Sequence, residues 1–463
     1  MQIEQLGSCL VALISRHRKE AVETDAQNKM KESEDITHGF TVPCYWQSTG
    51  TVLYCDSASM EQRMSIRPVV IVTGANRGIG FGICERLLRQ LCYGSPPDSA
   101  PNARSSSGRP WEFWQDCDGL TLLMACRNSA SGHTAREQLL KQFDLHISRL
   151  KELAHIERAK KFRENLNVEV AVVDLTVASS VLKFAAWTRE KFTYVSHLIF
   201  NAGIAQFNGV RALPAMKQVF IHPSTAVKAP RYLKERVGDK TGDGVGLVWQ
   251  SNVLGHYILL QSLKELLEEC PNAQGTSARV IWMSSLSTFL DHSDYNLHDI
   301  QLTASQHPYQ DSKYQIELLA AALNQAKLKS NANGAFHLVV EPGIVATGLD
   351  QFNNRGLWRV LRTLTFVTAR LVNSHSFPTS AHDAAISATH AALVDLHPLE
   401  ARLESSDKSQ LKFHSRAPLK RKPYVSYDQS LKLDEVNTAR SAQILVVCDR
   451  LYESFLPVQI QRE

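Results

Sequence analysis

Tyr309-Gln310-Asp311-Ser312-Lys313 sets a phenol and an ammonium four residues apart. On a helix that spacing puts both side chains on one face. A tyrosine ordinarily titrates near pH ~10, and an adjacent ammonium favours its phenolate. Such a phenol can hand a proton to a carbonyl oxygen whose carbon receives a hydride. Alone, the pair fits a solvated helix face equally well, so its company matters. That company is Asn201-Ala202-Gly203, Asn252, Ser284-Ser285 and Pro342-Gly343. Upstream lies a second group, Thr73-Gly74-Ala75-Asn76-Arg77-Gly78-Ile79-Gly80. A glycine-rich turn ahead of a helix lets backbone N–H groups reach a pyrophosphate, whose charge the helix N-terminus favours.

These groups need strand ends to hold them. Val69–Val72 is a short β-branched run of the kind buried on both sheet faces. Similar runs recur at Leu120–Cys126, Val168–Val173, Leu198–Phe200, Val280–Met283 and His337–Val340. Helical patterns lie between them at Phe81–Leu91, Val177–Phe192, Leu254–Glu269 and Lys313–Leu328. Alternating strands and helices predict an α/β fold with a doubly wound parallel sheet, one large domain over 66–463. The polar groups then fall at carboxyl ends of strands or in the helices that follow, where open α/β sheets bind ligands. Gly94–Pro110 is Pro/Ser-rich and is expected to be a mobile surface loop, while 208–246 and Asp291–His307 look like insertions.

The second strand ends Ala125-Cys126-Arg127-Asn128, without the acid that binds the ribose 2′-hydroxyl of NAD. Arg127 and Arg77 instead suit a 2′-phosphate, so NADP(H) is the expected cofactor. Arg127 is otherwise an exposed cation. Asp174 could accept from an adenine amino group or could cap the next helix.

In this order the motifs resemble the short-chain dehydrogenase/reductase family over about Val69 to Thr347. The resemblance implies a Rossmann-type fold, Tyr309 as acid/base, and Lys313 on the nicotinamide ribose. It also implies that Asn252 helps hold a relay water and that a serine polarises the carbonyl. Ser285 is preferred because the family's active serine is usually the second of such a pair, with Ser284 the alternative. The cofactor set it implies is Thr73, Gly74, Asn76, Arg77, Gly78, Ile79, Gly80, Arg127, Asp174, Asn201, Ala202, Gly203, Tyr309, Lys313, Pro342, Gly343, Val345 and Thr347. No metal is expected. Asp291–His307 makes the serine–tyrosine spacing longer than the family's usual dozen or so residues. The segments around Pro223–Tyr232, Gln250–Gly255 and Val280–Leu286 resemble the fungal 3-keto-steroid reductases of sterol biosynthesis. That group implies NADPH-dependent reduction of the 3-ketone of C-4-demethylated sterols, at the cytosolic face of the endoplasmic reticulum or on lipid droplets. Other sterol C-4 demethylation enzymes become candidate partners. A carbonyl or retinal-type reductase, or a cofactor-binding scaffold in a membrane complex, are the competing readings.

Arg355–Val372 carries arginines on one side of a helical wheel and Leu357, Trp358, Leu361 and Leu364 on the other. That pattern suits peripheral membrane contact, or equally a core-packed helix, within a 348–380 substrate-facing segment. No run of about 18 apolar residues suggests a transmembrane helix. The chain has 463 residues, 51 Lys plus Arg against 46 Asp plus Glu, an excess too weak to argue for nucleic acid. Nine cysteines without a C-x-x-C pair disfavour zinc ribbons and disulfide frameworks. Residues 1–65 hold no motif and end with Met60 and Met64 just ahead of Val69, so they are expected to be a disordered extension or to precede the true translation start.

Overall fold

The computed structural model describes residues 67–99, 114, 117–221, 232–271, 276–289, 295–330, 334–343, 380–396, 409–418 and 422–456. The expectations for residues 1–65, Val345, Thr347 and Arg355–Val372 lie outside these described residues, as does most of Gly94–Pro110.

The strands are β1 (Val69–Thr73), β2 (Leu120–Cys126), β3 (Leu166–Val172), β4 (His197–Phe200), β5 (Phe207–Val210), β6 (Leu233–Glu235), β7 (Arg279–Met283), β8 (Phe336–Glu341), β9 (Ser409–Arg416) and β10 (Tyr424–Lys432). The helices before the catalytic segment are α1 (Gly78–Leu91), α2 (Ser129–Ser148), α3 (Leu153–Glu164), α4 (Ala178–Lys191), α5 (Ala212–Ile221), α6 (Leu247–Trp249), α7 (Gly255–Ser262) and α8 (Lys264–Glu268). They are followed by α9 (Pro308–Ser330), α10 (Ala381–Ala384), α11 (Ile386–Leu393) and α12 (Glu435–Phe455).

Eight strands form one sheet in the order β10-β9-β8-β7-β4-β1-β2-β3. Every pairing is parallel except β10 on β9. The chain runs outward from β1 to β3, then crosses back past β1 to β4 and β7. Strand order therefore reverses between β1 and β4, and a crevice opens at such a switch point. On β1 the period of two divides the core: Val69 and Ile71 pack with Val253, Trp249 and Leu318, whereas Val70 and Val72 pack with Ile83, Leu87 and Ala388. Both sheet faces are thus covered, as a continuous β-branched strand requires.

Two expectations of helix bounds need correction. The catalytic helix begins at Pro308, not Lys313, because proline presets the first helical position and needs no N–H partner there. The expected continuous helix Leu254–Glu269 is split into α7 and α8, and a π turn over Gln250–Leu254 precedes it. The start of the Pro/Ser-rich stretch is anchored: Asp98 is buried and takes Nε and Nη2 of Arg86 at 2.5 and 2.8 Å. The 208–246 insertion contains structure of its own, the antiparallel pair β5–β6.

Candidate active site

The crevice at the switch point is a cleft of about 910 Å³ whose floor is the glycine-rich turn. Gly74 sits at φ +67°, open to glycine at little cost. A Cβ on Gly80 would lie 2.3 Å from the Gly74 carbonyl oxygen, so no larger residue fits under the turn. Thr73 is buried and organises the neighbouring strand end: its Oγ1 accepts from the backbone N–H groups of Asn201 and Ala202, both at 3.0 Å. Asn201 Nδ2 donates back to Thr73 O at 2.9 Å. This reciprocal lock explains why Asn201-Ala202-Gly203 and Thr73-Gly74 act as one surface.

Arg77 and Arg127 are exposed and both line the cleft, with Asn128 and Ser131 beside them. Asn128 caps α2 by accepting from Ser131 N at 2.8 Å, and Asn76 Nδ2 donates to Ser131 Oγ at 2.9 Å. Among the lining residues the cations are Arg77, Arg127, Arg236 and Lys313, against one acid, Asp174. That balance and the bare glycine turn fit a phosphorylated dinucleotide. Asp174 is not a helix cap. Its Oδ1 closes a turn on Thr176 N and Oγ1 at 2.9 and 2.7 Å, and the first N–H of α4, on Ala178, goes instead to Asp243 at 2.8 Å.

Tyr309 and Lys313, on the first turns of α9, line the same cleft. Lys313 is buried, donates to Met283 O at 2.7 Å, and holds its ammonium 5.7 Å from the Tyr309 ring centre. Burial, with the charge of Lys412 behind it, pushes Lys313 down to about 8. The lysine is therefore still mostly charged near neutrality. Asn252 lies in the π turn, a helical defect common at functional sites. Its side chain accepts from Ile204 N at 2.8 Å, and Nδ2 donates to Ile204 O and Ser312 Oγ, each at 3.0 Å. Ser312 in turn donates to Tyr309 O at 2.6 Å. His256, one turn on, contacts Asn252 O at 3.1 Å and Thr73 Oγ1 at 3.1 Å, and burial holds it neutral, at about 3.

Ser284 is buried at the cleft wall and its hydroxyl donates to Glu317, while Ser285 is half-buried beside it. Pro342 also lines the cleft, and Gly343 follows at φ +75°. The structure thus gathers Thr73, Gly74, Asn76, Arg77, Gly78, Ile79, Arg127, Asp174, Asn201, Ala202, Gly203, Tyr309, Lys313 and Pro342 around one cleft. Sequence reasoning missed Glu235, Glu317 and Lys412, which support the site from outside the motifs. For Glu317 and Lys412 the only trace in sequence is a charged residue between apolar neighbours; Glu235, between Lys234 and Arg236, leaves none.

No protein-family profile matches the chain. Among curated proteins it is 26% identical over 395 residues to the 3-keto-steroid reductase of Debaryomyces hansenii, covering 83% of this chain and 92% of the relative. It is 30% identical over 281 residues to the 3-keto-steroid reductase of Kluyveromyces lactis, covering 61% of this chain and 67% of the relative. The chain belongs to the 3-keto-steroid reductase family. The Rattus norvegicus member named 3-keto-steroid reductase/17-beta-hydroxysteroid dehydrogenase 7 is 28% identical over 290 residues, 61% of this chain and 69% of the relative. Family membership and the Tyr309–Lys313 cleft together make this chain an oxidoreductase.

Proposed function

We propose that this chain reduces the 3-ketone of C-4-demethylated sterol intermediates to the 3β-alcohol, with NADPH as reductant. The observation that carries the reading is the buried Lys313 ammonium beside Tyr309, in a cleft that Arg77 and Arg127 also line. The names of its relatives supply the substrate class. Bound NADPH supplies the hydride for the carbonyl carbon. Tyr309 donates its phenolic proton to the carbonyl oxygen, and Lys313 stabilises the phenolate left behind. Ser285 hydrogen-bonds the carbonyl oxygen. That assignment suits Ser284 having given its proton to a carboxylate, which only accepts. Asn252 fixes the segment after β4 and, through Ser312, the backbone of Tyr309.

NADPH oxidation should be measured against a panel of 3-keto sterols, a 17-keto steroid, retinal and small aldehydes. Turnover confined to the aldehydes would overturn the sterol assignment. We also place the enzyme at the cytosolic face of the endoplasmic reticulum, in peripheral contact through Arg355–Val372. No helix among the described residues is long and apolar enough to cross a membrane. Arg359→Glu with Arg362→Glu should weaken binding to anionic vesicles. Unchanged vesicle binding would remove that contact from the proposal.

A further inference from the structure

The inserted hairpin touches the proposed proton donor twice. Phe207 and Glu235 are cross-strand partners in β5–β6, and such partners share a face. The Phe207 ring lies 6.2 Å from the Tyr309 ring, at 63° to it. Glu235 Oε2 accepts from Tyr309 N at 2.9 Å. Glu235 is 8% exposed, too buried for a casual surface acid.

The contact answers a need of the helix. Its first N–H groups have no partner within the helix, and a side chain just ahead normally caps them. Pro308 has no N–H, and Ser305 nearby is occupied, accepting from His307 N at 3.0 Å and donating to Asp311 at 2.6 Å. The first N–H of α9 therefore finds its acceptor about seventy residues back in the chain. A carboxylate there also meets the positive end of the helix dipole.

We propose that Glu235 is a positioning residue for Tyr309, a remote helix cap through which the inserted hairpin sets the orientation of the proton donor. This rests on the reading of Tyr309 as that donor. The groups facing Glu235 are His307 Nδ1 at 3.9 Å and Asp311 on α9, while Arg236, the next residue, pairs with Asp239 at 3.1 Å. Asp299 acts at second hand by raising Asp311. Burial pushes Glu235 up to about 7, opposed by the Tyr309 N–H and reinforced by the Asp311 carboxylate. The cap consequently gains its charge as pH rises through 7. Ionised acceptors bind about twice as strongly as neutral ones.

The experiment uses the full chain with Glu235→Gln and Glu235→Ala. Hydrogen exchange at the start of α9 reads the cap whatever the substrate is. In Glu235→Ala the Tyr309 amide should exchange roughly tenfold faster or more. With any ketone the wild type reduces, the ratio of wild-type to Glu235→Gln kcat should rise roughly two- to fivefold between pH 6 and 8, the size of a helix-terminus charge effect. Glu235→Gln keeps an acceptor but cannot ionise, so its profile should lack this rise, show only the alkaline fall that Lys313 gives both proteins, and meet the wild type at the acid end. NADPH affinity should not change in either variant, since Glu235 does not line the cleft. Unchanged exchange in Glu235→Ala, or a Glu235→Gln profile that follows the wild type across this range, overturns the proposal. If the wild type reduces no 3-keto sterol but the exchange result holds, the functional reading fails and the cap stands.

Discussion

Removing the charge of Lys412 tests both the packing and the chemistry. Lys412 on β9 and Glu317 on α9 form an ion pair at 2.7 Å, with side chains 0% and 2% exposed. Lys412 Nζ also donates to Ser285 O at 2.9 Å and to Thr288 Oγ1 at 2.6 Å. Glu317 collects hydroxyl donors from Ser284 and, at 2.8 Å, from Thr288. Breaking a buried pair by deleting one partner costs about 3–5 kcal/mol, because the remaining charge is left uncompensated. Ser284 and Thr288 still donate to Glu317 in Lys412→Met, so the expected loss lies near the lower end, about 3 kcal/mol. At about 2.1 cal/mol/K of unfolding entropy per residue, a domain of roughly 400 residues shifts by about 1 °C per kcal/mol, so the midpoint of thermal unfolding should drop by about 3–4 °C. Adding Glu317→Gln should restore part of that loss by removing the orphaned charge. The catalytic readout is separate. Lys313 is held down at about 8 partly by Lys412, and its charge is needed to stabilise the phenolate. Wild-type kcat should therefore fall as pH rises past about 8, and in Lys412→Met that alkaline fall should move to higher pH. A single variant within about 1 kcal/mol of wild type, or a double variant no more stable than the single, would refute the reasoning about the pair. An unmoved alkaline limb would refute the coupling to Lys313.

Further outcomes follow from the same cleft. Tyr309→Phe should lower kcat by roughly 10²–10⁴-fold with NADPH affinity retained, because it removes general acid catalysis only; near-normal turnover in steady-state assays would exclude Tyr309 as the acid. Ser285→Ala should lower kcat by about 10²-fold or more and Ser284→Ala much less, as expected for loss of one donor to a developing oxyanion. The reverse ranking would pass the role to Ser284. Neutralising Arg77 and Arg127 together should weaken NADPH far more than NADH in fluorescence titrations, and equal losses would show that neither reads the 2′-phosphate.

The half of the site that touches ligand was legible because its chemistry restricts residue type at fixed places. A glycine is required where a Cβ would strike the Gly74 carbonyl, and an asparagine where Thr73 must be matched by donor and amide alike. The β-branched runs were equally plain, since a strand buried on both faces tolerates little else. The C-terminal strands were not. Leu411-Lys412-Phe413-His414 alternates apolar and polar, the pattern of a strand with one wet face. Here the polar positions are fully buried, because Lys412 meets Glu317 and His414 meets Glu341 at 3.0 Å. The partners lie far apart in the chain, and no local period records them. The start of α9 was misjudged for a related reason: Tyr309 N is satisfied by Glu235, a residue of another element.

These supports share a logic that bears on how the reductase is built. The sheet from β1 to β8 and the helices that follow its strands supply the glycine turn, Arg127, Asn201, Tyr309 and Lys313 to the cleft. Two additions to it, the β5–β6 hairpin and the edge pair β9–β10, each bring one buried charged group to the backbone of a catalytic segment. Glu235 takes the N–H of Tyr309, and Lys412 gives to the carbonyl of Ser285. The signs are those the backbone demands, an acid for a donor and a base for an acceptor. Neither Glu235 nor Lys412 lines the cleft, so neither side chain has a direct hold on cofactor affinity. What they control is the placement of the proton donor relative to the serine turn, on which the carbonyl oxygen depends from both sides. An angstrom of error there is costly to rate while leaving binding of the dinucleotide intact. Changes at Glu235 and Lys412 should accordingly appear in kcat and its pH dependence before they appear in cofactor binding.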